Sequence, residues 1–264
     1  MKVVFNCEGH SGTVYLLHYT PLPIKQHYNV MKKLISLSIT AIFILGFSNI
    51  KKPKVIQIDV SSILNARPVT VLDHGKLIGW TTGIDGAGSG DGYLTMAAAL
   101  FNNDKTPHAL PDKPVFAANN FHPEIKLHYS NSDTVSNQSH NVAGEGEFTI
   151  TVPAHNYIGM FICLTSSEGP SQLQFQLVYA DGTESLDFLL PDYYNDLPAS
   201  DTLGYVAHDL AKWNHANKMA ETNHHNIDAV NIHPNPNRVL TAIKVKKTKA
   251  GYLVFWGAAG VVAE

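Results

Sequence analysis

The chain has 264 residues, 44% of them hydrophobic and only 16% charged, with a formal net charge of −3. That length suits one large domain or two small ones and carries enough apolar residues for a full core. The slight acidity argues against a nucleic-acid partner, which needs a basic footprint to neutralise phosphates.

The first informative segment is Met31-Lys32-Lys33, a basic start that leads into the apolar run from Leu34 to Leu45. Twelve residues, nine of them apolar, are too few to cross a bilayer comfortably, and they match the central region of an export signal. Gly46 and Ser48 place small residues at the −3 and −1 positions of a cleavage site, and no Cys follows to carry a lipid anchor. The alternative is a buried hydrophobic helix, which rarely follows Met-Lys-Lys. The expected organisation is therefore an upstream extension over 1–30, a signal peptide over 31–48 and a single domain over 55–263. The location would be extracellular or periplasmic, with no membrane span once the signal is removed. Removal takes four lysines and one glutamate from 19 basic and 22 acidic residues, leaving 15 and 21, a net charge of −6. Cys7 leaves as well. Cys163 then stands alone, so no internal disulfide forms and a packed core must hold the fold. Its apolar surroundings predict a small core residue.

Downstream, the glycine-rich "GIDGAGSGDGYL" (83–94) carries Asp85 and Asp91. Such loops wrap calcium with carboxylate and carbonyl oxygens, although no Glu closes this one as in an EF-hand. A plain turn is the other reading. The stretch lacks the Lys-Ser/Thr of a phosphate-binding loop. In Phe121–Tyr129 the odd positions Phe121, Ile125, Leu127 and Tyr129 are apolar and His122, Glu124, Lys126 and His128 alternate with them, predicting a half-buried strand. The three acid or imidazole groups on that face are better read as a solvated face than as a metal site, because Lys126 lies among them. Phe148, Ile150 and Val152 alternate with threonines. "YIGMFICL" (157–164) is apolar on both faces, as a strand inside a sandwich would be. "QLQFQLVYADGTESLDFLL" reads as a hairpin, with Asp181-Gly182 providing the turn. Residues 205–221 space Val206, Leu210 and Trp213 helically and predict a short helix or an ordered loop. Val239–Val245 and "YLVFWGAAGVVA" close the chain as two further strands, with Trp256 in the core. The sum is an all-β class: an antiparallel β-sandwich with one short helix or long loop insertion.

"LVYADGTESLDFLLPDYYN" followed by "PNPNRVLTAIKVKKTKAGYLVFWGAAGV" resembles bacterial jelly-roll modules of the galactose-binding-domain type. The likeness is confined to these two segments. It implies a jelly-roll sandwich of the kind found beside glycosidases and in carbohydrate-binding modules, and it raises the expectation of a structural calcium.

Two groups of residues invite a functional reading. "PDYYND" supplies Asp192, Tyr193, Tyr194 and Asn195 after a strand, and Trp213 and Asn214 extend the surface, with Trp80 within possible reach. Aromatic faces stack on pyranose rings while amides and carboxylates bond hydroxyls; the competing reading makes the tyrosines amphipathic caps on the core. "NHHNIDAVNIHPNP" (223–236) gathers His224, His225, Asp228 and His233. As a helix it would align His224 with Asp228 for a metal, but Pro234 and Pro236 favour a strand preceded by a loop holding His224 and His225. The loop's histidines then serve backbone groups rather than a metal. The function expected is carbohydrate binding without catalysis. The alternatives are a polysaccharide lyase or glycoside hydrolase using the 223–233 segment, and a surface protein that binds other proteins. No G-x-S-x-G is present and no carboxylate pair stands out.

The export signal generates the first prediction. N-terminal sequencing of the protein recovered from outside the cytoplasm should begin after Ser48. Recovery of material beginning at Met1, or anywhere before Met31, would disprove the assignment.

Overall fold

The computed structural model describes residues 53–86, 90–105 and 108–263, all within one compact unit, Lys51–Glu264. The expected upstream extension and signal peptide lie outside the described residues. In chain order the elements begin with β1 (Pro53–Gln57), a 3-10 turn (Ser61–Ile63), β2 (Val69–Asp73), β3 (Lys76–Ile78), β4 (Tyr93–Leu94) and the single α-helix among the described residues, α1 (Met96–Phe101). Short strands β5 (Val115–Phe116), β6 (Ile125–Lys126) and β7 (His140–Ala143) follow. The long strands then run as β8 (Gly146–His155), β9 (Tyr157–Ser167), β10 (Ser171–Tyr179), β11 (Gly182–Leu190), β12 (Leu203–Trp213), β13 (Met219–Ile232), β14 (Leu240–Lys247) and β15 (Tyr252–Ala263). Among the described residues no helix is long and apolar enough to cross a membrane.

The fold is an all-β sandwich. One sheet has the order β1-β15-β9-β13-β12, with β7 also paired to β15, and the other has the order β11-β10-β14-β8. Every pairing within these two sheets is antiparallel. Alternation fills the space between them. Phe148, Ile150 and Val152 of β8 meet Leu173, Phe175 and Leu177 of β10 and Ile243 and Val245 of β14. Met160, Ile162 and Leu164 of β9 and Leu253 and Phe255 of β15 face them from the larger sheet. Each such side chain, fully buried, contributes roughly 1.5–3 kcal/mol.

The larger sheet is covered on its other face as well. Phe161 and Cys163 of β9, Ile227 and Ala229 of β13, and Tyr252, Val254 and Trp256 of β15 join a second core. The segment between β1 and β7, carrying β2 to β6 and α1, closes this core with Val69, Val71, Ile84, Tyr93, Leu110, Ile125, Leu127 and Tyr129. This double cover explains why β9 reads as a continuous apolar run. It also accounts for Cys163 and Trp256, both fully buried as expected. Within β15 the register shifts between Phe255 and Gly257, where Gly257 adopts φ +159°. Beyond that bulge the faces exchange parity, so Ala258 enters the sandwich core and Ala259 the second one.

Two expectations are corrected. Residues 205–221 form no helix: they are the end of β12, a turn and the start of β13. The pairing of β12 with β13 shifts register four times, at Tyr205/Ala207, Ala207/Leu210, Leu210/Lys212 and Lys212/Trp213. Each irregularity displaces the inward face, so buried Val206, Leu210 and Trp213 fall at helical spacing along an extended strand. The one short helix is α1 instead, capped by the Thr95 side chain, which accepts from the Ala98 amide. In Phe121–Tyr129 only Ile125 and Lys126 pair as a strand, with β5. Ile125, Leu127 and Tyr129 of its apolar face are buried as predicted and Phe121 partly so, but His122 is buried too, its imidazole bonded to the Pro123 carbonyl and the Asn119 amide. The β10–β11 hairpin forms as read: Tyr179 pairs with Gly182 across Ala180 and Asp181, and Gly182 takes φ +144°.

Candidate functional site

Three distant segments meet beside the end of β12. The glycine-rich loop folds back so that the Ile84 amide donates to the Asp91 carbonyl at 2.7 Å and the Asp91 amide to Asp85 Oδ1 at 2.6 Å. A Cβ on Gly90 would stand 1.9 Å from the Asp85 carbonyl oxygen, and one on Gly83 2.6 Å from that of Asp91, so only glycine permits this approach. A backbone bridge between Gly92 and Trp213 docks the loop on β12. The loop after β11 brings Tyr193 and Tyr194, and β13 returns alongside with Glu221 and His225.

Their meeting point is Lys212. Its ammonium lies 3.2 Å from Asp85 Oδ2, 3.4 Å from Asp91 Oδ2 and 3.2 Å from Glu221 Oε1. It also donates to the hydroxyls of Tyr193 at 3.3 Å and Tyr194 at 3.5 Å, and stands 5.9 and 5.7 Å from their ring centroids. Burial alone would lower its pKa, but the Asp85 charge and the hydrogen bonds the ammonium donates to Asp85 and Glu221 outweigh it and hold the proton above the ordinary lysine range. Glu221 is held below the usual carboxylate range by the Tyr194 hydroxyl, which donates to Oε2, and then by Lys212. Tyr193 donates to Asp85 Oδ2 at 3.2 Å, and burial followed by the Asp85 charge raises its phenol.

His225 completes the group. It is fully buried, with its ring 4.9 Å from Tyr193 and 4.6 Å from Tyr194. Nδ1 lies 2.7 Å from the Leu210 carbonyl oxygen, and a carbonyl accepts only, so Nδ1 carries the proton. Nε2 has no hydrogen-bond partner among the described residues, and Glu221 Oε2 stands 3.4 Å away. Burial lowers the imidazole pKa and favours the neutral ring.

The structure redistributes the residues singled out in the sequence. Tyr193 and Trp213 are buried and present no stacking face; the Trp213 ring packs with Trp80, Leu94, Ala98 and Ala99 in a small third core. Tyr194, 41% exposed, is the one member of that aromatic set at the surface. Asp192 accepts from the amides of Gly169 and Tyr194, and Asn214 Oδ1 accepts from those of Ala216 and Lys218, so both order turns. The Asn195 carbonyl accepts from the Asn226 side chain. The histidine-rich segment lies inside β13 rather than in a loop before a strand, with His224 at φ +75°. Alternation sends Asp228 to the sandwich side with Val230 and Ile232, and His225 to the other side with Ile227, while His224 and His233 are exposed. Those four residues do not converge. Among the described residues no group of three or more His, Cys, Asp or Glu is arranged to hold a metal ion. A calcium ion at Asp85 and Asp91 would have to displace the Lys212 ammonium.

Lys212 is not among the site residues expected from the sequence. The local signal is "LAKW", a lone lysine among apolar residues at a strand end, but its partners lie up to 127 positions away.

A second concave feature lies at the other end of β12. Leu197–Ser200, Leu203–Val206, His208 and Asn119–Phe121 surround a cleft of about 580 Å³. Phe121 closes its floor against Gly204, where a Cβ would meet the ring at 2.5 Å. The Tyr205 hydroxyl accepts from the Leu197 amide at 2.6 Å, and its ring lies 5.3 Å from that of His208. Among the described residues, no Asp, Glu, Lys or Arg lines the cleft.

No protein-family model matches the chain, and no curated protein is detectably similar to it. Fold and geometry therefore define the molecule as an all-β sandwich with a buried lysine–carboxylate–tyrosine cluster and an uncharged cleft.

Asp228 generates a prediction about stability. It is 1% exposed between its strand partners Leu164 and Tyr205, and neither carboxyl oxygen has a hydrogen-bond partner. Burial pushes its pKa up to about 8. The folded state thus holds a proton that the unfolded chain releases near its ordinary pKa of 3.8. Stability falls as pH rises from about 4 to about 8 and then levels. Asp228→Asn should remove this decline, matching wild type near pH 4 and exceeding it by on the order of 5 kcal/mol above pH 8, since each tenfold difference in proton affinity between the folded and unfolded states is about 1.4 kcal/mol. Denaturant melts across that pH range check it; parallel curves would refute the assignment.

Proposed function

We propose that this chain is an exported β-sandwich protein that binds a neutral carbohydrate in the cleft beside β12. The observation that carries the reading is the cleft's lining: concave, without an ionisable carboxylate, lysine or arginine, and furnished with aromatic rings, an amide side chain and hydroxyls. Phe121, Tyr205 and His208 offer faces for pyranose C–H groups, while Asn120 and Ser200 offer hydrogen bonds to sugar hydroxyls. Concave sites with a few convergent polar groups are where small ligands bind. A uronate or sulfated chain would find no cation there. Export, read from the Met31 signal pattern, agrees with an extracellular glycan as ligand.

A glycan array probed with the wild-type protein should show neutral saccharides above uronate-containing and sulfated ones. Tyr205→Ala should weaken binding by about tenfold or more, the loss expected for a central aromatic contact. His208→Ala, at the exposed rim, should weaken binding without shifting the melting temperature. Unchanged affinity in both variants, or a preference for acidic glycans, would overturn the proposal.

A further inference from the structure

The Lys212 cluster is unbalanced in two respects that the fold does not resolve. Asp85, Asp91 and Glu221 surround one ammonium, and His225 is neutral, so the formal charge is −2. In addition, the His225 Nε2 lone pair faces Glu221 Oε2 at 3.4 Å, acceptor against acceptor, with no proton between them. Both imbalances have one remedy, a cationic group carrying N–H donors. A donor about 2.8–3.0 Å from each of two acceptors spans such a gap from one side.

We propose that the mouth of this cluster binds a protonated primary amine, of the kind borne by an amino sugar. The choice of an amino sugar rests on the glycan reading above; the amine chemistry does not. The groups at the mouth are the accessible ones: the side chains of Glu221 and Asp91 are 43% and 25% exposed, and Tyr194 is 41% exposed. The carboxylates supply charge and the Tyr194 ring supplies a cation–π face. Lys212 shows that this pair of rings accommodates an ammonium at under 6 Å. An incoming amine takes the outer side of Tyr194 and Glu221, and a small rotation of the Tyr194 ring opens Nε2 to its third N–H. An acetylated amine has lost both the charge and two donors, and does not fit.

The test is calorimetric titration of the full chain at low ionic strength with a glucosamine tetramer, its fully N-acetylated counterpart and putrescine. The tetramer should bind, its acetylated form should bind at least about tenfold more weakly, and Glu221→Gln should reduce tetramer affinity by a similar factor. In the wild-type protein the His225 Nε2 nitrogen resonance should move on addition of tetramer, a readout that survives even if Glu221→Gln fails to fold. Equal binding of the acetylated tetramer to a Tyr205→Ala protein, an unmoved His225 resonance, or full affinity in a folded Glu221→Gln protein would each overturn the inference. If neutral glycans bind and Tyr205→Ala abolishes them while no amine perturbs His225, this inference fails and the cleft reading stands. If putrescine binds with Glu221 dependence and no saccharide binds anywhere, the amine site stands and the glycan reading falls.

Discussion

Everything in this fold follows from a sheet that must be dry on both sides. The four-stranded sheet covers one face of the larger sheet regularly, strand against strand. The other face is covered by residues between Val69 and Tyr129, and among those described the longest strand has five residues. Short strands leave many backbone groups without ladder partners, and a buried backbone group must find one elsewhere. Side chains supply them. Gln138 accepts from the Val69 amide and donates to its carbonyl, Asn131 Oδ1 accepts from the Leu72 amide and the Thr95 hydroxyl, and Ser167 donates to the Ile84 carbonyl. Arg67, 5% exposed, donates to the carbonyls of Ser136 and Asp133. The sequence's wealth of Asn, Ser, Thr and Gln is in good part this requirement.

The same distinction separates what the sequence discloses from what it hides. Strands packed against a regular partner keep period-two alternation, so β8, β10 and β14 and the β10–β11 hairpin were legible, as was the two-faced run of β9. The second cover is irregular, and its buried polar residues look like loop residues. His122 is the clear case: it alternates as an outward residue, yet it is buried because Asn119 and the Pro123 carbonyl satisfy its ring. The bulges of β12 defeat periodicity outright, since each shifts the inward face and the sum imitates a helix. The candidate site was only half legible. Asp85 and Asp91, Tyr193 and Tyr194, and His225 each carry a local signal, but three different ones: a glycine-rich loop, an aromatic loop and a histidine-rich strand. Only the Gly92–Trp213 bridge and the return of β13 place them around Lys212.

A buried ionic cluster is an unusual device for attaching a loop. Removing Lys212 from water has a cost, and the three carboxylates offset it only because the geometry is closed from several sides. Apolar residues would have attached the glycine-rich loop with less desolvation. What the charges add is direction: Asp85, Asp91 and Glu221, from three separate segments, converge on the one ammonium of Lys212. The docked loop in turn presses its tight Gly83–Gly90 crossing against β12, where side chains would exclude the approach. In this respect the cluster is a locating pin whose outer side faces solvent.

The segment 191–202 ties the two concave features of β12 together. At one end Asp192 accepts from its own turn and from Gly169, which sets Tyr193 and Tyr194 against Lys212. In the middle the Asn195 carbonyl is held by Asn226 of β13, and the Leu197 amide by the Tyr205 hydroxyl. At the far end the Thr202 carbonyl accepts from the Asn231 amide at 2.8 Å. A surface loop anchored at four points along twelve residues loses little further entropy when a ligand contacts it, which is the condition for a pre-formed cleft wall. Three of the four anchors, Tyr205, Asn226 and Asn231, belong to β12 and β13, the strands whose bulges bend them away from regular pairing. The irregularity that made this region look helical in the sequence is thus the same one that leaves room for a cleft at one end of β12 and a charged cluster at the other.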